Sequence, residues 1–200
     1  STACCAGLQA FKFASMSVQS GNSSNAIAVG SEKPSSWLKA DKFDDEAEDL
    51  KHLIDNPIIA FEKDFLRWML SDGAGAALIQ DTPNANGISL RIDWIEILSY
   101  ANQLEPCMYA GCDKNEDGSL TGWAEMRPQD WATHSIFAFK QDTRLLGENI
   151  VKWGGIMWKK VCEKHQVNPE QITYFLPHLS SEYFRLRILE ELEKTSYPIP

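Results

Sequence analysis

The chain has 200 residues, 44% of them hydrophobic, with 28 acidic against 19 basic side chains and a net charge of −9. That balance excludes nucleic acid, which needs clustered cations to displace its counterions, and argues against an anionic membrane surface. No apolar run approaches the ~20 residues of a membrane-spanning helix, while the length is sufficient for one core or two small ones.

In chain order, Ser1–Gly21 reads as an amphipathic helix with Leu8, Phe11, Ala14 and Val18 on one face and Gly21 placed to end it. Asn25–Gly30 is a short apolar run between turn residues and predicts a buried strand. Glu32–Asn56 is acidic and reads as a solvated excursion, after which Ile58, Ile59, Phe61, Phe65 and Met69 have helical spacing. Ala76–Gln80 predicts a strand, and Pro83–Gly87 is loop punctuation. From there Ile88, Leu90, Ile92 and Trp94 alternate with polar residues, predicting a strand that continues as sheet through Ile95–Tyr109.

Asp142-Thr143 offers an N-cap to a long helix striped by Leu146, Ile150, Trp153, Met157 and Val161. Gly147, Gly154 and Gly155 weaken that helix and imply close approach to another element. Asn168-Pro169 opens a turn and Ile172–Leu176 predicts a strand. Ser180-Ser181-Glu182 starts a last helix with Phe184, Ile188 and Leu192 inward. Alternating strands and helices argue for layered α/β structure, with a half-domain boundary near Asp81–Gly87.

Cys4 and Cys5 stand at the mouth of the first helix. A cysteine there meets unpaired backbone N–H groups and the positive end of the helix dipole, a setting that lowers thiol pKa values to ~3.5–7.5 and makes a nucleophile at neutral pH. The alternative is a small apolar residue packed under a turn. Cys107, Cys112 and Cys162 complete an odd set with neither a disulfide framework nor zinc-site spacing, the pattern of reduced thiols in a cytoplasmic protein. His178 ends an apolar strand just before a helix, the edge at which open α/β sheets gather ligands. With Cys5 at another strand–helix junction, a Cys/His pair at one crevice competes with a structural histidine.

Thr2-Ala3-Cys4-Cys5-Ala6-Gly7-Leu8 resembles the nucleophile segment of the β-ketoacyl-ACP synthase III family, thiolase-like condensing enzymes in which a Cys-Ala-Gly opens a buried helix. Ser71–Ile79 is similar to the family's glycine-alanine turn and strand, and Tyr174-Phe175-Leu176-Pro177-His178 to the strand that delivers its histidine. The resemblance implies a thiolase-like layered α/β/α fold, incomplete here. Residues 1–82 would form the latter part of the N-terminal half-domain with the nucleophile, and residues 83–200 the first part of the C-terminal half-domain with the histidine. It also implies that the chain is an internal piece of a longer protein, with a third catalytic residue, an asparagine, beyond Pro200.

The implied activity is decarboxylative Claisen condensation of an acyl thioester with a malonyl thioester, in fatty acid, polyketide or related lipid biosynthesis. Cys5 would carry the acyl group and His178 would stabilise the carbanion. Acyl-CoA and malonyl-ACP or malonyl-CoA would be the substrates, with no cofactor or metal. An acyl carrier protein is acidic, so a local basic patch must face it; Arg185 and Arg187 are the expected carrier-binding pair. A homodimer or a homologous paired subunit is the implied assembly. The family's Pro-His-Gln-Ala-Asn run stands here as Pro177-His178-Leu179-Ser180-Ser181, which leaves a non-catalytic scaffold subunit as the alternative.

Two further motifs compete for function. Asp113–Leu120 fits the first eight positions of an EF-hand calcium loop, but the twelfth position is Ala124 and Glu125 comes one residue late, so an acidic hairpin tip is the simpler account. Gly73-x-Gly75 has no third glycine and does not make a dinucleotide loop. Trp123, Trp131, Phe137 and Phe139 would line either a core or an acyl or aryl pocket.

Overall fold

The computed structural model describes residues 3–39, 54 and 57–200. The chain divides into two compact units, one formed by Ser1–Ser36 with Leu70–Ile97 and the other by Trp37–Met69 with Leu98–Pro200. Most of the acidic excursion expected over Glu32–Asn56 lies outside the described residues. The mixture of helices and strands is compatible with a thiolase-like α/β fold. Among the described residues no helix is long and apolar enough to cross a membrane.

In the first unit a 3-10 turn, Ala3–Cys5, leads into helix α1 (Ala6–Gln19). Gly21 ends it as expected: its φ of +72° is open to glycine without strain, and its N–H bonds to the Val18 carbonyl at 3.0 Å. Strands β1 (Asn25–Glu32) and β2 (Gly73–Gln80) pair antiparallel along their whole length, from Asn25 opposite Gln80 to Glu32 opposite Gly73. The strand period of two puts Ala28 and Ile79 on the face under α1, where they join Val18, with Phe11, Ala14 and Ala26 packed around them. Ile27, Val29 and Leu78 are exposed on the opposite face, so β1 is buried on one side only, and not through its whole apolar run.

The alternation over Ile88–Trp94 does not become a strand. Ile92 packs against the core of the first unit, but Ile88 is 95% and Leu90 88% exposed and the segment has no ladder partner among the described residues. The expected sheet over Ile95–Tyr109 shrinks to Met108–Tyr109 (β3). Side-chain alternation selects faces, but a strand also needs a neighbour's N–H and C=O groups.

The second unit carries helix α2 (Pro57–Met69), as its helical spacing predicted, with Leu66 fully buried. A hairpin follows of β4 (Cys112–Lys114) and β5 (Leu120–Gly122), then a one-turn helix α3 (Asp130–Thr133) and β6 (Lys140–Gln141), which pairs with β3. Helix α4 (Thr143–His165) starts where expected, with the Asp142 carboxylate accepting the Leu145 N–H at 2.8 Å. Its buried positions are Gly155, Val161 and Cys162, whereas Ile150 and Met157 of the expected stripe are exposed.

A Cβ on Gly155 would come within 2.7 Å of Glu191 Cγ on helix α5 (Arg185–Glu193), the close approach its glycine implied; at Gly147 and Gly154 the added atom meets nothing within 4 Å. Ser181 caps a 3-10 turn, Glu182–Phe184, that opens α5, and Phe184 and Leu192 are buried as expected. The strand expected over Ile172–Leu176 is absent, with Tyr174 80% and Leu176 90% exposed on unpaired backbone.

Candidate functional site

The site begins with the geometry of α1. Cys5 is its N-cap, at φ −96° and ψ 0°, and no side chain caps the helix there. The first turn holds no acidic side chain. Both Cys4 and Cys5 are exposed.

The helix comes close to the sheet because glycines meet. A Cβ built on Gly7 would lie 3.4 Å from the Gly30 Cα, and one on Gly30 would lie 3.5 Å from the Gly7 Cα. An open groove runs beside this crossing, lined by Cys4, Gly7, Leu8 and Phe11 from the helix side and by Ala28, Gly30, Gly75 and Ala77 from the sheet. Cys4 lines the groove. The far end of the sheet is tied by Asp72, whose carboxylate accepts the Ser35 N–H at 2.9 Å and the Ser35 hydroxyl at 2.5 Å. The Ser35 hydroxyl holds the Asp72 carboxyl below its ordinary pKa.

The other predicted site residues belong to the second unit. His178 is exposed, on irregular backbone between Pro177 and Leu179. Arg185 makes a two-pronged ion pair with Glu182, at 2.6 and 2.7 Å, and the Arg187 guanidinium sits 4.1 Å from the centre of the Tyr183 ring. Cys5 lies in the first unit and His178, Arg185 and Arg187 in the second.

The EF-hand-like segment forms the hairpin β4–β5, with Gly118 at φ +80° in its turn. Asp113, which would be the first calcium ligand, is bonded instead to Lys140 Nζ and His134 Nδ1, both at 2.7 Å. Asp117 accepts from the N–H and hydroxyl of Ser119, which closes the turn on itself. Among the described residues no group of three His, Cys, Asp or Glu side chains converges as a metal site would require. Trp123, Trp131 and Phe137 form an edge-to-face cluster in which the Trp131 indole N–H donates to the Trp123 carbonyl at 3.0 Å.

A charged network behind the hairpin was not visible in the sequence. Lys114 is bonded to Asp142 at 2.7 Å and Glu105 at 2.9 Å. Burial alone would push Lys114 down, but the Asp142 and Glu105 carboxylates reverse it, to about 12. Burial likewise pushes the Asp142 carboxyl up, and the Lys114 ammonium and the Leu145 N–H more than offset this, leaving it below the ordinary range. Asp113 follows the same logic, its burial outweighed by Lys140 and His134. The thiols of Cys107, Cys112 and Cys162 are all pushed up, chiefly by burial.

Residues 1–85 match the family model described as Beta-ketoacyl synthase, N-terminal domain. The match includes Cys5, the Gly7–Gly30 crossing and the Ser71–Gln80 turn and strand, and it supports a thiolase-like condensing enzyme, a transferase in general terms. No curated protein matches the chain.

Proposed function

We propose that the chain belongs to a condensing enzyme of the β-ketoacyl-ACP synthase III type, built on a layered thiolase-like fold, with Cys5 as its acyl-accepting nucleophile. The observation that carries this reading is the exposed Cys5 at the opening of α1, inside the matched stretch and two residues before Gly7, where the helix meets the strand backbone at Gly30. The Cys5 sulfur attacks the acyl thioester carbonyl, and collapse of the tetrahedral intermediate expels the carrier thiol and leaves the acyl group on Cys5. The backbone N–H of Cys5, at the start of α1, is proposed as a donor to that intermediate's oxyanion. A malonyl thioester then loses carbon dioxide, and its carbanion attacks the acyl-enzyme and releases the Cys5 thiolate.

His178 is proposed to donate a hydrogen bond to the malonyl carbonyl oxygen as charge develops there, a role typically worth ~2.7–4 kcal/mol for one well-aimed donor. Arg185 and Arg187 are proposed to face the acidic carrier. Glu182 already neutralises Arg185, so a carrier carboxylate or phosphate must compete with it.

Incubation of the full chain with a mass-tagged acyl-CoA tests the nucleophile. The expected result is one acyl adduct on the Cys5 peptide, lost in Cys5→Ala and retained in Cys4→Ala; an adduct confined to Cys4 or to no cysteine overturns the assignment. A second reading is a scaffold subunit that does not turn over. It is favoured by Ser181, whose hydroxyl caps the Glu182–Phe184 turn by accepting the Tyr183 N–H at 3.2 Å. Acylation without condensation when carrier and malonyl thioester are supplied would support it.

A further inference from the structure

Cys4 and Cys5 are neighbours in the chain, both exposed, and both belong to the 3-10 turn Ala3–Cys5 that precedes α1. The other three thiols belong to the second unit, where Cys112 and Cys162 are buried and Cys107 is partly covered. Of the five cysteines, Cys4 and Cys5 are therefore the two open to a dissolved oxidant. The peptide bond between them tethers each thiol beside the other.

That bond is trans, as are all those described. Consecutive Cα atoms then stand about 3.8 Å apart, closer than the ~4.4–6.8 Å of ordinary disulfides. A disulfide between neighbours closes a small, strained ring, and strained, exposed disulfides are the readily reduced ones. The backbone that carries both thiols is the 3-10 turn and not α1, which starts at Ala6. Hydrogen bonds in such turns are poorer than α-helical ones, and Cys5 at φ −96° and ψ 0° has the backbone of a turn corner. Ring closure thus acts on the weaker element and leaves the helix intact.

We propose that Cys4 and Cys5 form a reversible redox pair, closed to a disulfide by a peroxide and opened by a thiol reductant. The Cys5 sulfur attacks the peroxide O–O bond, which breaks to give a Cys5 sulfenic acid and one water. The Cys4 sulfur then attacks the Cys5 sulfur, the S–O bond breaks, and the oxygen leaves with the Cys4 proton as a second water. Two thiols are oxidised by two electrons and one peroxide is reduced. Cys4 is the resolving thiol, and it stops Cys5 from passing to the irreversible sulfinic acid. The consequence for catalysis, that oxidation switches acylation off, rests on the reading of Cys5 as nucleophile.

The test treats the full chain with hydrogen peroxide, blocks free thiols with iodoacetamide and maps tryptic peptides by mass. The expected product is the Ser1–Lys12 peptide, unalkylated and lighter by two hydrogens than its reduced form. Dithiothreitol should restore alkylation at both cysteines. In Cys4→Ala, dimedone should capture a Cys5 sulfenic acid, and longer exposure should leave sulfinic acid at Cys5. Circular dichroism melts check that this variant keeps its fold. Oxygen added to the wild-type peptide without loss of two hydrogens would overturn the proposal. So would a Cys5 disulfide to any other cysteine or to a second chain, or equal sulfinic acid in wild type and Cys4→Ala. A mass-tagged acyl-CoA separates the two readings: oxidised protein should take no tag until dithiothreitol is added, and tagging of Cys5 in the oxidised form would refute the switch. Failure of reduced protein to take the tag would count against the nucleophile assignment alone, since the disulfide is read by mass without any acyl substrate.

Discussion

Gly7 of α1 and Gly30 of β1 meet backbone to backbone, each leaving about the room a methyl group would fill against the other. The crossing sets the height of α1 above the sheet and with it the position of the Cys4–Cys5 turn. Gly30→Val needs more space than the 3.4–3.5 Å contact leaves, so it should destabilise the first unit by ~1–3 kcal/mol through overpacking. It should also alter the rate at which iodoacetamide labels Cys5. Gly73→Ala, where the added atom meets nothing within 4 Å, is the control and should do neither. Denaturant melts and labelling rates check both, and equal behaviour of the two variants would refute the role of the crossing.

Burial sorts the thiols. Cys4 and Cys5 are exposed, Cys112 and Cys162 are buried, and Cys107 is partly covered and accepts a hydrogen bond from Gln141 Nε2 at 2.9 Å. Burial also holds the last three as thiols rather than thiolates. Native protein at neutral pH should therefore take up iodoacetamide quickly at Cys4 and Cys5, and at the other three only after denaturation, as peptide mass mapping would show. Early labelling of Cys162, which has no exposed surface, would contradict the packing of α4.

The pH dependence of stability follows from Lys114 with its partner Asp142, and from Asp113 with its partners Lys140 and His134. Asp142 and Asp113 have folded pKa values below their ordinary value of ~3.9, so their contribution is present above that pH and is lost as pH falls through the folded values. Lys114 is raised to about 12, so its contribution is complete below its ordinary ~10.4 and disappears as pH rises through the folded value. Melting temperature should fall below about pH 4 and again above about pH 10. Lys114→Met should remove its share of the alkaline loss and shrink the acid loss, since Asp142 no longer has an ammonium to release. Unchanged limbs in that variant would show that the network does not couple to folding.

The glycines of α4 should separate by what lies above them. Gly147→Ala meets open space and should stabilise the helix by up to ~1 kcal/mol. Gly155→Ala must first displace Glu191, which is also paired to Lys194 at 2.8 Å, so its gain should appear only in combination with Glu191→Ala. Thermal melts of the two single variants and the double variant give the answer.

Local signals in the sequence were accurate where one residue does the structural work. Asp142 capping α4, Gly21 stopping α1 and Ser181 opening the last helical stretch each act through a single hydrogen bond or backbone angle. The predicted strands at Ile88–Trp94 and Ile172–Leu176 failed for a different reason. Their alternation is present, but a strand is a relation between two segments, and one segment cannot report whether its neighbour is there. Long-range polar ties were invisible for the same reason: Ser35 and Asp72 are 37 residues apart, and Lys114 and Asp142 are 28 apart. At the candidate site the wording around Cys5 was legible, whereas the groove lined by Cys4 depends on where β1 and β2 run beneath the helix.

The outer side of the β1–β2 ribbon presents Ile27, Val29 and Leu78 to water, and among the described residues neither rim of the ribbon is hydrogen-bonded to a further strand. Such a surface combines a greasy panel with open backbone on both borders, the two ingredients of edge-to-edge stacking. Purified in isolation, this polypeptide should scatter light increasingly with concentration and salt, and a single lysine in place of Ile27 should delay that clouding without touching the helix on the other side.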